Sequence, residues 1–146
     1  ENRRQAQLSK DNDSINIYLK NHGILKSKID DSGLVIFGKF GKRKKIKSGD
    51  TVTINYIGKF LNDTVFESSW ETGQAITLVA GNNDVIDGWE IALKYLGKQG
   101  KVSILIPSYL AYGERGSGND ILPNSVLIFD LEIMEIKRKQ KIKSSF

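Results

Sequence analysis

The 146-residue chain has no cysteine, one histidine and two prolines, and each scarcity removes a class of chemistry. Without cysteine there is no disulfide, no thiolate zinc site and no cysteine nucleophile. The one histidine, His22, cannot build a metal centre alone, so neither a metal nor any other cofactor is expected. A Ser-His-Asp triad would have to borrow His22 from a polar N-terminal arm and is rejected. No apolar run approaches the roughly 20 residues of a membrane-spanning helix. The opening residues, Glu-Asn-Arg-Arg, hold no apolar core of a signal peptide. An apolar content of 39% excludes a disordered chain. Two prolines against 14 glycines suit a turn-rich β domain, and the length fits one compact domain with a modest appendage.

Charge is unevenly placed. The net charge of +5 comes from two tracts, KRKKIK at 42–47 and KRKQKIK at 137–143, which hold five basic residues each. Without them, 12 basic residues face 17 acidic ones, and the remainder is net negative. Neither tract interleaves aromatics as single-stranded nucleic-acid platforms do, so nucleic acid is not an expected partner. They read as a solvated loop and a frayed tail.

Residues 1–31 are polar and poor in glycine. Leu8, Ile15, Tyr18 and Leu19 recur at helical spacing, which predicts a short helix over 13–22, capped by Asp13 or Ser14 and stopped at Gly23. From Gly33 onward the pattern turns to strands. Apolar or alternating runs mark strands at 34–37, 51–56, 64–66, 75–79, 102–106 and 126–136. Residues 87–95 form the one helical stretch there, with Ile86, Trp89, Leu93 and Leu96 on one face and Gly97 at its end. Residues 109–124 are a long glycine-rich excursion, and such a loop in a small domain is usually functional. The fold class is α+β: a twisted antiparallel sheet around one short helix, plus a short helical arm. The domain runs over 32–137, with the arm at 1–31 and a basic tail at 138–146.

Glycine-rich stretches carry no phosphate loop. Gly113-Glu114-Arg115-Gly116-Ser117-Gly118 lacks a following Lys-Ser/Thr and a strand-to-helix context. The carboxylates form no pair at glycosidase or metal spacing.

Five segments, taken together, do carry a signal: Ile54-Asn55-Tyr56-Ile57-Gly58, Val65-Phe66-Glu67-Ser68-Ser69, Val85-Ile86-Asp87-Gly88-Trp89-Glu90, Ala111-Tyr112-Gly113-Glu114-Arg115-Gly116, and Ile121-Leu122-Pro123-Asn124 running into Leu127-Ile128-Phe129-Asp130. In order and spacing they resemble the FKBP-type peptidyl-prolyl cis-trans isomerases over about residues 34–137. The arm resembles that of secreted or envelope-anchored bacterial members, which implies a bacterial periplasm or cell envelope, the alternative being the cytoplasm.

The resemblance implies an isomerase that assists protein folding by desolvating and twisting the X-Pro amide in an apolar aromatic pocket. Trp89 would be the floor. Tyr56, Phe66, Ile76, Val85, Ile86, Ile121 and Phe129 would be walls. The Ile86 N–H and the Tyr112 hydroxyl would hold substrate carbonyls, and Glu67 would sit at the rim bonded to Tyr56. The implied partners are proline-containing polypeptides and macrolide inhibitors of the rapamycin type, with the chain a monomer. The alternative is a low-turnover peptide-binding or chaperone module of the same fold.

Three positions depart from the family pattern: Glu67 stands where Asp is usual, Ile76 where Phe is usual, and Leu122 replaces the first residue of a Pro-Pro pair. The longer Glu67 side chain is expected to loosen its bond to Tyr56, so Glu67→Asp should raise activity. The arm is expected to be dispensable for short peptides, since every pocket residue lies beyond position 50. Removing it should leave their turnover within a few-fold.

Overall fold

The computed structural model describes residues 2–140. Seven strands form one antiparallel sheet: β1 (Lys28–Ile29), β2 (Val35–Lys39), β3 (Thr51–Phe60), β4 (Val65–Ser68), β5 (Ile76–Val79), β6 (Lys101–Ile106) and β7 (Leu127–Lys137). Their order is β1-β2-β6-β7-β3-β4, with β5 also on β3. β3 pairs with β7 along its whole length. Its other edge is divided, with β5 on Thr51–Ile54 and β4 on Ile57–Lys59. The helices are α1 (Asn2–Asn21), α2 (Ser69–Thr72) and α3 (Asp87–Leu93).

Alternation along the strands divides the core. Ile36, Val102, Ile104, Ile106, Leu127, Phe129, Leu131 and Ile133 pack with Trp89, Ala92 and Leu93 of α3. Val35, Leu105 and Ile128 point the other way and meet Ile15, Tyr18 and Leu19 of α1. The period of two thus gives the β2–β6–β7 region two apolar faces, each covered by a helix.

Most strands lie within a few residues of their expected places. The arm differs more. Its helix starts at Asn2, not near residue 13, and Asp13 and Ser14 are interior to it rather than caps. Residues 2–12 are rich in strong helix formers but lack an apolar repeat, so propensity rather than periodicity extends the helix. The buried stripe is Asp11, Ile15, Tyr18 and Leu19, with a carboxylate where a hydrophobic residue would have marked the turn. Gly23 does end the segment. Its φ of 67° permits Gly23 N–H to reach the Lys20 carbonyl (3.2 Å) and Ile24 N–H the Leu19 carbonyl (2.9 Å), a Schellman stop. The sequence reading missed β1 and α2, because a two-residue strand and a single helical turn carry no periodicity.

The basic tracts are not free. Arg138 donates to the Lys44 and Lys45 carbonyls (each 2.9 Å) and to the buried Asp50 carboxylate (3.0 Å). Asp50 also accepts from the N–H groups of Lys47 and Lys139, each at 2.9 Å. The loop and the start of the tail are therefore tied together, while residues 141–146 of the tail lie outside the described residues.

The end of α1 is clasped to the turn between β3 and β4. His22 stacks on Tyr18 with ring centroids 3.8 Å apart, and its two nitrogens face the Tyr18 carbonyl (2.9 Å) and the Asp63 carboxylate (3.0 Å). Tyr18 also donates to Asp63 (2.8 Å). The hydrogen bond to Asp63 holds the His22 pKa above its ordinary value, and the bond from His22 holds that of Asp63 below its own; Lys59 opposes the first shift and assists the second. The contribution of a group with a raised pKa is full below its unfolded value, about 6.5 for histidine, and is lost as pH rises through the folded value. That of Asp63 is full above about 3.9 and lost as pH falls through its lowered folded value. Urea unfolding of the protein and of His22→Ala should therefore differ most between about pH 4 and 6.5, with the difference narrowing as pH rises through the raised folded value. Ile15→Ala, at the centre of the α1 contact, should cost about 2–5 kcal/mol at any pH in that range.

Candidate functional site

A break in strand register builds the site. β4 pairs Glu67 with Gly58 and Val65 with Lys59, leaving Phe66 as an extra residue. In a regular strand Phe66 and Glu67 would face opposite sides, but the bulge turns both toward the α3 side of the sheet. The Phe66 ring then lies against Phe60 (centroids 4.8 Å apart) and Phe129 (5.7 Å). Gly58 makes room for this. A Cβ there would stand 2.7 Å from Phe66 Cζ and 2.8 Å from Phe129 Cε1, so only a residue without a side chain lets both rings close over the strand.

Below them lies Trp89 in the first turn of α3. It meets Tyr56 at 5.1 Å and Phe129 at 5.2 Å, both edge to face, and is only 3% exposed. Edge-to-face contact sets the positive rim of one ring against the negative face of the next. Helix α3 is held against the preceding loop by Glu90, whose carboxylate accepts from Gly81 N–H (2.8 Å) and Asn83 N–H (2.9 Å). That loop carries Val85 and Ile86. Ile86 is the N-cap residue of α3, its carbonyl accepts from Trp89 N–H (3.0 Å), and its own N–H makes no hydrogen bond to a described residue.

At the rim the Tyr56 hydroxyl donates to Glu67 Oε2 at 2.9 Å. The longer Glu67 side chain therefore does not loosen this bond, contrary to the expectation. Burial, and then the Glu67 carboxylate, push the Tyr56 pKa up to about 12, so its phenol is a donor throughout the neutral range. Tyr112 follows the Ser108–Leu110 turn, is 38% exposed and lies within the field of both Tyr56 and Glu67. Burial and the Glu67 charge raise its pKa as well.

Of the residues selected from sequence, Tyr56, Phe66, Trp89 and Phe129 form one contiguous aromatic cluster, and Glu67 joins it through Tyr56. Ile76, Val85, Ile86 and Ile121 pack into the same hydrophobic cluster. Tyr112 is outside that cluster and is linked to it electrostatically. Ile121 is placed by an isolated bridge to Ser117, which closes the 109–124 excursion on itself.

Three contributors went unselected. Phe60 extends the ring cluster, but its position beyond the expected strand end hid it. Ser69, buried at the start of α2, accepts from Tyr56 N–H (2.8 Å) and donates to Asn55 (2.9 Å), fixing the strand segment that carries Tyr56. Asp11 of α1, 3% exposed, accepts from Ser108 N–H (2.9 Å) and Ser108 Oγ (2.6 Å) and so anchors the base of the Tyr112 loop. No local pattern joins residues 11 and 108. A cleft of about 650 Å³ opens beside that anchor, between α1 and residues 108–115, with Tyr112 in its wall.

The site so defined is an aromatic cluster on an antiparallel sheet folded over one short helix, with a phenol–carboxylate pair at its rim. The family model described as FKBP-type peptidyl-prolyl cis-trans isomerase matches residues 42–134. A protein of Buchnera aphidicola (subspecies Schizaphis graminum) named FKBP-type peptidyl-prolyl cis-trans isomerase FkpA is 40% identical over 124 residues, covering 83% of this chain and 48% of that one. FK506-binding protein 2 of Yarrowia lipolytica is 42% identical over 93 residues, 64% of this chain and 65% of that one. The crystal structure of FkpA from Escherichia coli superposes with a TM-score of 0.76 at 32% identity, covering 93% of this chain and 65% of that one. The chain belongs to the FKBP-type peptidyl-prolyl cis-trans isomerase family. It spans between about half and two thirds of the relatives just described.

Gly58→Ala tests the geometry of the ring cluster. The added methyl must displace Phe66 and Phe129, so stability should fall by about 1–3 kcal/mol, as read by urea unfolding.

Proposed function

We propose that the chain catalyses cis-trans isomerisation of X-Pro bonds in polypeptides and so assists protein folding. The observation that carries this reading is the cluster of Tyr56, Phe66, Trp89 and Phe129, closed at its rim by the Tyr56–Glu67 pair. Rotation about a peptide bond faces a barrier of about 18–20 kcal/mol because amide resonance is lost when the group twists. The twisted amide is less polar than the planar one. A dry aromatic surface therefore favours it relative to water, and every ~1.4 kcal/mol is about tenfold in rate.

In this reading the prolyl ring rests over Trp89 between Tyr56, Phe66 and Phe129, with Ile76, Val85 and Ile121 completing the walls. The Ile86 N–H and the Tyr112 hydroxyl hold carbonyls flanking the bond. Glu67 orients Tyr56. Nothing in this scheme moves a proton, which agrees with a site whose two phenols are both pushed above their ordinary range.

Macrolides of the kind named in FK506-binding protein 2 would occupy the same apolar surface as competitive inhibitors. The arm's resemblance to envelope-anchored bacterial members supports a periplasmic or envelope setting, which fractionation of the native organism tests. The chain is read as a monomer, to be tested by light scattering. Among the described residues no helix is long and apolar enough to cross a membrane.

A proline-peptide isomerisation assay tests the function. Catalysis should be flat from about pH 5.5 to 8; a rate that followed a carboxylate titration would point to acid–base chemistry instead. Tyr112→Phe should lower kcat/KM roughly two- to tenfold, the worth of one hydrogen bond. Because the Tyr56–Glu67 bond is already of normal length, Glu67→Asp withdraws the carboxylate by about one bond length, 1.5 Å, and should leave kcat/KM equal or lower. Glu67→Leu should lower it by about tenfold to a hundredfold. Peptide binding without turnover would favour the low-turnover module, for which Ile76 and Glu67 are the residues at issue.

A further inference from the structure

The cleft between α1 and residues 108–115 is separate from the aromatic cluster but shares Tyr112 with the proposed site. Its volume of about 650 Å³ lies within the range of pockets that hold small ligands or short peptide segments. Its walls are built rather than accidental. The buried Asp11 carboxylate takes both the N–H and the hydroxyl of Ser108, and its other oxygen accepts from Gln7 Nε2 at 2.9 Å. That network fixes the distance between the helix and the Tyr112 loop.

The cleft is lined by three arginines against two carboxylates and is net positive. Glu114 is paired with Arg3 at 2.9 Å, and the buried Asp11 carboxylate keeps its charge while accepting from Ser108 and Gln7. Arg4 and Arg115 also line the cleft and form no ion pair with a described residue. Arg4 and Arg115 thus line a concavity that has Tyr112, where a substrate carbonyl would be held, in its wall. A guanidinium matches a carboxylate in shape as well as in charge.

We propose that this cleft is an extended subsite for the substrate chain flanking the prolyl bond, and that it selects acidic residues there through Arg4 and Arg115. The proposal rests on the isomerase reading for the placement of Tyr112. The occupant is a continuation of the bound polypeptide, because Tyr112, which would hold a substrate carbonyl, also stands in the wall of the cleft. The arm would then contribute to substrate choice although it contributes no group to the aromatic cluster.

The test uses the full chain and three fluorescent peptides with one prolyl core, extended by about six residues that are acidic, neutral or basic, on either side of the proline. Binding is read by anisotropy and turnover by kcat/KM on the same peptides and on the unextended core. The acidic peptide should bind about three- to tenfold more tightly than the neutral one for one direction of extension, with the gain shrinking as salt rises. In Arg4→Glu/Arg115→Glu the ratio should fall to one or invert. In Lys44→Glu/Lys139→Glu, which alters the distant basic tracts, the ratio should persist. Equal binding of acidic and neutral peptides overturns the subsite, as does a preference that follows Lys44 and Lys139 instead. Failure to isomerise the unextended core overturns the function reading, while the binding ratio still decides whether the cleft selects acidic chains.

Discussion

The antiparallel pairing of β3 with β7, in unbroken register from Ile54 to Phe60, is the constraint on which the remaining structure depends. It places Gly58 opposite Phe129 and Tyr56 opposite Leu131, so that one face of the pair presents aromatic groups at a fixed spacing. β4 then meets β3 out of register by one residue, and that single extra residue brings Phe66 and Glu67 to the same side. The absence of a side chain at Gly58 is the local condition for the arrangement, since the two rings occupy the space its Cβ would need.

The chemistry of the site follows from this packing. Rings meeting edge to face exclude water without stacking flat, which leaves an apolar surface of defined shape. The one carboxylate at the rim is already bound to a phenol. Tyr56 and Tyr112 are held protonated by burial and by Glu67, so the site offers donors and apolar surface rather than an acid–base pair. This suits a reaction whose barrier is conjugative and whose transition state sheds polarity.

The arm has a second relation to the domain. Its apolar residues cover the sheet face opposite α3, and its carboxylate at Asp11 binds Ser108 at the base of the loop that carries Tyr112. A helix that shields a hydrophobic face thereby also fixes the base of the Tyr112 loop. His22 and Asp63 hold its C-terminal end, so the middle and the end of α1 are tied to different loops by polar contacts, with the apolar contact between them.

Sequence by itself determined the strands whose side chains alternate, the helix around Trp89, the stop at Gly23, and the residue types that gather in the aromatic cluster. These are properties of spacings within about ten residues or of motifs that keep their order. Only the tertiary structure decided the full length of α1, because a buried Asp11 broke the apolar stripe that reveals a helix. It also decided the side to which Phe66 turns, since a bulge is defined by the partner strand and not by its own residues. The bond length between Tyr56 and Glu67 belongs with these: the sequence suggests a side chain one methylene too long, whereas the fold sets the backbone so that the longer reach fits. The contact between Asp11 and Ser108 joins positions far apart in the chain, and no pattern within either segment could specify it.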